Sequence, residues 1–184
     1  NSSSFLKNVN VTYFNNTGEQ QAASSSTSSF FSSAVSELAR ILEPVGTTIT
    51  VLDFACNNAV NNPLLIVRHA EILKYANDMI IRKTLLNKKT KFIICMCYAY
   101  TEPNVHLLPF MNQFRQHNNV LVMCPAGNQG VQLEESSAFP IGIDYVLRVG
   151  THSNDDKVAI HPLSNYGDNK IVNVYASGEF NGCT

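Results

Sequence analysis

The sequence lacks tryptophan and has few charged residues, which make up 15% of its 184 residues. Its formal net charge is −1, so the overall composition does not indicate binding to a polyanion such as nucleic acid. No run approaches the roughly 18 consecutive apolar residues that a membrane helix requires. We therefore expect no nucleic-acid partner and no membrane span.

Two features of secreted proteins are also missing. The first four residues, Asn-Ser-Ser-Ser, lack the charged and then apolar pattern of a signal peptide, and the five cysteines form no dense disulfide framework. Their odd number leaves at least one thiol free. However, Asn-x-Ser/Thr triplets begin at Asn1, Asn10 and Asn15, and these accept glycans in a secretory lumen. On these triplets we expect a secreted or cell-surface protein.

What is present suffices for one folded domain. Apolar residues make up 45% of the chain, and its length fits one domain or most of one. We expect a single, partial domain over 1–184 that contains a Ser-rich loop over 19–29.

Strand-like and helix-like segments alternate along the chain. Period-2 alternation and β-branched runs predict strands, whereas apolar residues three and four apart predict helices. The predicted strands are 9–14, 48–54, 92–97, 120–124 and 145–149, with shorter ones at 157–161 and 171–175. The predicted helices are 30–42, 64–78 and 105–116. This alternation favours an α/β fold with a mainly parallel sheet covered on both faces.

One turn follows a predicted buried strand. The strand 120–124 runs into Pro-Ala-Gly-Asn-Gln-Gly, in which Gly127 and Gly130 permit close backbone approach around Asn128. Ligands and catalytic groups of open parallel sheets gather at the carboxyl ends of the strands. An exposed amide there can donate a hydrogen bond to a developing oxyanion. A plain Asn-containing turn is the alternative that spacing alone leaves open.

The turn and its surroundings resemble subtilisin-like serine proteases, the subtilase family. The Ala-Gly-Asn-x-Gly at 126–130 looks like the family's turn with the oxyanion-hole Asn. The further matching segments are 93–98, Phe139-Pro140, 145–150, Ser164-Asn165-Tyr166-Gly167 and 171–178. Together they cover about 48–184 in the family's order. The resemblance implies a three-layer α/β/α fold with a mainly parallel central sheet and its C-terminal part missing, so we expect a longer protein or a partner segment to complete it.

The catalytic positions depart from the family. In a subtilase, Ser attacks the substrate, His transfers the proton and Asp orients the His. By resemblance, the Asp position falls on Asn16, the His position on Ser25 and the Ser position on Thr184. An amide carries no charge, and a serine cannot act as a general base near neutral pH. Of the family's catalytic apparatus, only the oxyanion-hole position, Asn128, keeps its residue type.

The implied substrate-binding residues are Cys97, Tyr98, Ala99 and Gly127. The family carries Ser-Leu-Gly-Gly on its peptide-binding strand, where an extended substrate pairs with an edge free of side chains. Here Ala99 and Tyr100 replace the two glycines. The larger residues predict a partly blocked primary pocket.

The cysteines and one aspartate suggest further chemistry. Cys95, Cys97 and Cys124 with a nearby His could form a zinc site, but buried thiols are the favoured interpretation. Cys183 is a conceivable nucleophile, and Asp53 fits a structural or N-cap role better than a catalytic one. We predict no cofactor, and the resemblance allows calcium without identifying a site.

Three functions stay open at this point. The leading hypothesis is a degenerate, catalytically inactive subtilisin-like domain, a pseudoprotease that binds a protein or peptide ligand or acts as a scaffold. The alternative is an active subtilisin-like serine endopeptidase whose triad residues lie outside this segment or are aligned wrongly here. A third is a non-proteolytic α/β enzyme, for which no glycine-rich phosphate loop is present.

Overall fold

The computed structural model describes residues 9–14, 20–21, 29–54, 63–98, 100, 104–134, 138–153 and 159–177. These residues belong to two compact units, one within Asn1–Ile72 and one within Leu73–Gly182. The boundary between the units falls inside a long helix.

The first unit contains a three-stranded sheet in the order β2-β1-β3. Strand β1 (Val9–Phe14) pairs antiparallel with β2 (Gln20–Gln21) and parallel with β3 (Ile49–Phe54). Helix α1 (Ser29–Leu42) lies between β2 and β3 in sequence, as a parallel pair requires a crossover connection. The predicted loop 19–29 includes β2 and the first residue of α1, and its other residues lie outside the described ranges.

Helix α1 confirms the predicted helix 30–42. A short 3-10 helix, Glu43–Val45, follows it, because Pro44 has no backbone N–H to continue the α-helical pattern. Glu37 and Arg40 form an ion pair one turn apart at 2.6 Å, and its exposure to water makes it a minor contribution to stability. Gly46 then turns the chain toward β3 with a φ of 69°.

The second unit is built on a four-stranded sheet in the order β4-β5-β6-β7, with all neighbours parallel. Its strands are β4 (Phe92–Cys95), β5 (Val120–Pro125), β6 (Leu147–His152) and β7 (Val174–Ser177). Helix α3 (Leu108–Arg115) lies between β4 and β5 and contacts β5. The predicted parallel α/β architecture is confirmed.

Helix α2 (Pro63–Leu86) is longer than the predicted helix 64–78. The predicted end was wrong because the residues after Asp78 include no glycine or proline and favour helix. The side chains at 73, 76, 77 and 80 are buried along one stripe of the helix. Pro63 at the first helical position suits the helix start, where its missing N–H leaves no partner unpaired.

Several predicted strand ends were also wrong. Strand β4 ends two residues before the predicted end, and β6 begins and ends later than predicted. Strand β7 begins three residues late because the carboxylate of Asp168 accepts hydrogen bonds from the N–H groups of Lys170 and Ile171, which forms a turn. The predicted strand 157–161 is not a strand in its described part, where Ile160 makes one isolated bridge to His152.

The two faces of the four-stranded sheet differ in burial. Val122 and Cys124 on one face are 1% and 3% exposed. On the other face, Ile93 and Leu121 are paired in register, and they are 67% and 43% exposed. Parallel sheets are ordinarily covered on both faces. Within the described ranges of this chain, only one face of the sheet is covered. The predicted burial is confirmed for Cys124 and wrong for Cys95 and Cys97, because the side chains of both Cys95 and Cys97 are exposed.

None of the helices within the described ranges combines the length and hydropathy needed to cross a bilayer.

Candidate functional site

The eight predicted site residues divide into two groups. The structure describes four of them: Cys97, Tyr98, Gly127 and Asn128. The other four lie outside the described residues: Asn16, Ser25, Ala99 and Thr184. The positions that correspond to the family's triad therefore stay predictions, as do Cys183 and its suggested role.

The four described residues lie just beyond the carboxyl ends of two strands of the four-stranded sheet. Strand β5 ends at Pro125 and runs into the turn 126–130, and the neighbouring parallel strand β4 ends at Cys95. The N–H of Met96 still donates to the carbonyl of Met123 at 2.9 Å, so the sheet spacing continues to the start of the Cys97–Tyr98 segment. The topology thus places the predicted binding segment and the Asn128 turn at the carboxyl ends of neighbouring strands.

The side-chain amide of Asn165 holds the turn that carries Asn128. Its Oδ1 accepts hydrogen bonds from the N–H groups of Gln129 at 3.0 Å and Val131 at 3.2 Å. Its Nδ2 donates to the carbonyl of Ala126 at 3.0 Å and to Oε1 of Gln129 at 2.8 Å. Asn165 is 4% exposed, and both donors of its amide group are used. One buried side chain therefore fixes the turn along its length.

Gly127 allows this close approach. Its φ of 106° lies in the region that favours glycine, and a Cβ atom added to it would lie 2.5 Å from Nδ2 of Asn165. The backbone N–H of Asn165 also donates to the carbonyl of Gly127 at 2.9 Å. The group that approaches this glycine is the side chain of Asn165, and the predicted contact of Gly127 with a substrate stays a prediction.

Ser164 connects the Asn165 segment to β6. Its Oγ accepts the N–H of Thr151 at 2.9 Å and donates to the carbonyl of Asn165 at 3.0 Å. The turn itself is also joined to β6, since the N–H of Ala126 donates to the carbonyl of Val149 at 2.8 Å. Sequence reasoning identified Ser164 and Asn165 only as part of a matching motif and missed that they support the turn.

Asn128 is exposed at the tip of this fixed turn. Within the described ranges its side chain has no hydrogen-bond partner, whereas the neighbouring Gln129 side chain is held by Asn165. A side-chain amide can donate to a carbonyl oxygen or an oxyanion and can accept from an N–H. Because the turn is already ordered, a ligand would not have to order it on binding.

Aromatic rings pack beside the end of β4. The Tyr98 ring stacks on the Phe139 ring with centroids 6.5 Å apart. The centroid of the Tyr100 ring lies 6.1 Å from each of the other two, in edge-to-face contacts. The N–H of Tyr100 donates to the carbonyl of Phe139 at 2.7 Å in an isolated antiparallel bridge. The backbone at Tyr100 is thus already paired within the chain.

The phenol and thiol groups near the carboxyl ends of β4 and β5 stay protonated near neutral pH. Burial raises the pKa of the Tyr98 phenol far above its usual range, and partial loss of water contacts raises the pKa of the exposed Cys97 thiol. The pKa of Cys124 rises to about 11, mainly through burial, although the Arg148 guanidinium opposes this rise. Because the thiolate is the reactive form of cysteine, these thiols are poor nucleophiles.

The described residues do not group as a metal site. No set of three or more His, Cys, Asp or Glu side chains within the described ranges could hold a metal ion. The zinc alternative for the cysteines therefore has no support in that part of the chain.

Neither a protein-family model nor a curated protein matches this chain. Among solved structures, a cold-adapted subtilisin-like serine proteinase matches with a TM-score of 0.50 and 14% identity over 73% of this chain. The chain has a subtilisin-like α/β fold. The prenylagaramide maturation protease PagA is also similar, with a TM-score of 0.47 and 20% identity over 72% of this chain. This chain spans 43% and 44% of those two structures, respectively.

Proposed function

We propose that this subtilisin-like domain binds an extended peptide or protein segment at the carboxyl ends of β4 and β5 and does not hydrolyse it. The observation that carries the proposal is the ordered turn 126–130, which exposes the Asn128 amide and is held by the buried Asn165. A fold that kept this turn retains a means of binding a backbone carbonyl without needing a nucleophile.

The absence of cleavage is supported by the residue types at the catalytic positions. By resemblance these positions carry Asn16, Ser25 and Thr184, which include neither a carboxylate nor an imidazole. Without a general base, a hydroxyl nucleophile is not activated near neutral pH. The cysteines near the turn do not replace it, since desolvation raises the pKa of both Cys97 and Cys124.

The aromatic packing near β4 limits which ligands fit. Tyr98, Tyr100 and Phe139 occupy space beside the segment, and the Tyr100–Phe139 bridge uses one backbone donor. We expect a ligand that contacts the exposed Asn128 and the rim of this cluster rather than one with a side chain buried deeply beneath it.

The alternative is a serine endopeptidase whose triad residues lie elsewhere in a longer chain. The observation that favours it is the same turn, because a preorganised Asn amide suits a tetrahedral oxyanion as well as a carbonyl. The two proposals differ in whether a bound peptide is cleaved.

The experiment is incubation of the protein with a pool of extended peptides, with retention and cleavage both read by mass spectrometry. We expect retention of intact peptides, and the Asn128→Ala variant should retain them about fivefold less well because one hydrogen bond is lost. Asn118→Ala, at another exposed asparagine, is the matched control. Cleavage by the wild-type chain would favour the endopeptidase, and equal retention by both variants would exclude Asn128 from the binding site.

A further inference from the structure

The C-terminal end of α2 and the turn that follows it form a basic corner, defined here as residues 81–91. It holds five of the chain's 13 Lys and Arg residues, namely Arg82, Lys83, Lys88, Lys89 and Lys91, and all five are exposed. No Asp or Glu occurs from 79 to 101. In a chain with a net charge of −1, this is a strong local concentration of positive charge.

Large apolar side chains stand among these charges. Leu86 is 84% exposed, Leu85 is 78% exposed and Ile81 is 40% exposed. Ile81 and Leu85 are four residues apart on α2, so they share one side of the helix. Isolated exposed leucines are common on proteins, but two adjacent leucines bordered by five cations form an amphipathic surface.

Hydrogen bonds fix the shape of the basic corner. Nδ2 of Asn119 donates to Oγ1 of Thr84 at 3.1 Å and to the carbonyl of Thr90 at 3.0 Å, which ties the turn to the end of α2. Oδ1 of Asn87 accepts the N–H of Lys89 at 3.0 Å, and the N–H of Asn87 donates to the carbonyl of Lys83 at 2.9 Å. The lysines and leucines are therefore presented on an ordered backbone.

We propose that the basic corner docks on an anionic lipid surface. Its cations are attracted to negatively charged headgroups, and Leu85 and Leu86 can enter the boundary between headgroups and acyl chains. The exposed Leu85 and Leu86 among the cations favour a lipid surface over nucleic acid, because contact with a phosphate backbone requires positive charge but no exposed apolar side chains.

This docking is independent of the proposed peptide site. The basic corner precedes β4 at its amino end, whereas the Asn128 turn follows β5 at the carboxyl end. Because β4 and β5 are parallel neighbours, the basic corner lies at the amino ends of the strands and the Asn128 turn lies at their carboxyl ends. A membrane-docked chain would keep the Asn128 turn open to a ligand.

The test is co-sedimentation of the chain with vesicles of phosphatidylcholine alone and with vesicles that also contain phosphatidylserine. We expect the chain to sediment only with the vesicles that contain phosphatidylserine. Added salt should release it, because screening weakens the attraction between the lysines and the headgroups.

Two pairs of variants locate the contact. Lys88→Ala should weaken binding about fivefold, the value of one cation at an anionic surface, whereas the exposed Lys170→Ala should leave it unchanged. Leu86→Ser should weaken binding about tenfold through lost apolar burial. Leu163→Ser is its control, because Leu163 is 61% exposed and lies away from the basic corner. Its carbonyl accepts the N–H of Gly130 in the turn that follows β5.

Three results would overturn the proposal. The first is equal sedimentation with both vesicle types or with neither, and the second is equal loss of binding in a variant and its control. The third is tight, salt-sensitive binding of a single-stranded oligonucleotide that survives Leu86→Ser, with no vesicle binding, which would assign the basic corner to nucleic acid. All four substituted side chains are exposed, so a matching thermal unfolding midpoint should confirm that each variant is folded.

Discussion

The side chain of Asn165 connects the sequence to the candidate site at the scale of one residue. It bonds to the backbone or side chains of Ala126, Gln129 and Val131 while it is itself buried. A buried amide that loses a partner is costly because water cannot replace that partner. The geometry of the turn therefore depends on an amide 37 residues after Asn128 in the chain.

The first prediction concerns this amide. Asn165→Asp keeps the shape but removes the two donors and directs a carboxylate oxygen at the Ala126 carbonyl. We expect a loss of about 2 kcal/mol in the free energy of unfolding, measured by chemical denaturation. Asn128→Asp makes the same chemical change at an exposed position of the same turn and should cost less than about 0.5 kcal/mol. Equal costs for the two variants would show that Asn165 does not hold the turn.

The second prediction separates backbone strain from steric clash. Gly46 and Gly127 both have positive φ, so alanine at either position incurs a backbone cost of about 1 kcal/mol. A Cβ at Gly46 meets nothing within 4 Å, whereas at Gly127 it lies 2.5 Å from Asn165. We expect Gly127→Ala to lower the free energy of unfolding by about 1 to 3 kcal/mol more than Gly46→Ala, as overpacking does. Similar losses would contradict the predicted clash.

The third prediction concerns His69 on α2. Burial lowers the pKa of His69 from 6.5 to about 4, so the folded chain binds this proton less readily than the unfolded chain. Stability is therefore unaffected above about pH 6.5 and falls as the pH drops toward about 4, by about 3 kcal/mol in all. The difference in stability between the wild type and His69→Gln, followed over this pH range, isolates the effect. A constant difference would show that His69 titrates normally in the fold.

At the scale of elements, the four-stranded sheet has one covered and one open face. The covered face includes Val122 and Cys124, and Met111 and Phe114 of α3 are buried as well. The open face carries Ile93, Leu121 and Cys95. Neighbouring residues of β5 should therefore contribute very differently to stability.

The fourth prediction compares two adjacent positions on β5. Val122→Ala should lower the free energy of unfolding by about 2 kcal/mol, because Val122 is 1% exposed and the lost methyl groups leave a cavity. Leu121→Ala removes a larger side chain but one that is 43% exposed, and it should cost less than about 1 kcal/mol. Denaturant titration of both variants checks this order, and the reverse order would show that the open face is covered in solution.

Periodicity predicted the type and order of these elements better than their ends. Strand β1 and helix α1 are placed to within one residue, because their apolar patterns are regular and polar segments border them. The predicted start of β7 was too early, because Ile171 has a β-forming side chain but its N–H is bonded to Asp168 in a turn. Sequence spacing also gave no sign that the Arg148 guanidinium donates to the carbonyls of Ile141 and Lys170, which joins three segments.

At the scale of the whole molecule, the site was predictable where it depends on a local motif. The turn with Gly127 and Asn128 follows the apolar run of β5 and could be located from the chain alone. The support from Asn165 depends on a contact across 36 residues from Gln129, which no local pattern encodes. The triad positions Asn16, Ser25 and Thr184 depend on resemblance and lie outside the described residues.

The central claim is that this subtilisin-like fold binds without catalysis. The chain spans 43% of the solved subtilisin-like proteinase that it matches, so its activity has to be tested directly on the purified protein. The measurement is the intact mass of the protein before and after exposure to a fluorophosphonate probe, which modifies an activated hydroxyl nucleophile. We predict that the mass of 20.3 kDa is unchanged. Addition of one probe molecule, mapped to a serine or threonine, would contradict the claim and identify the nucleophile.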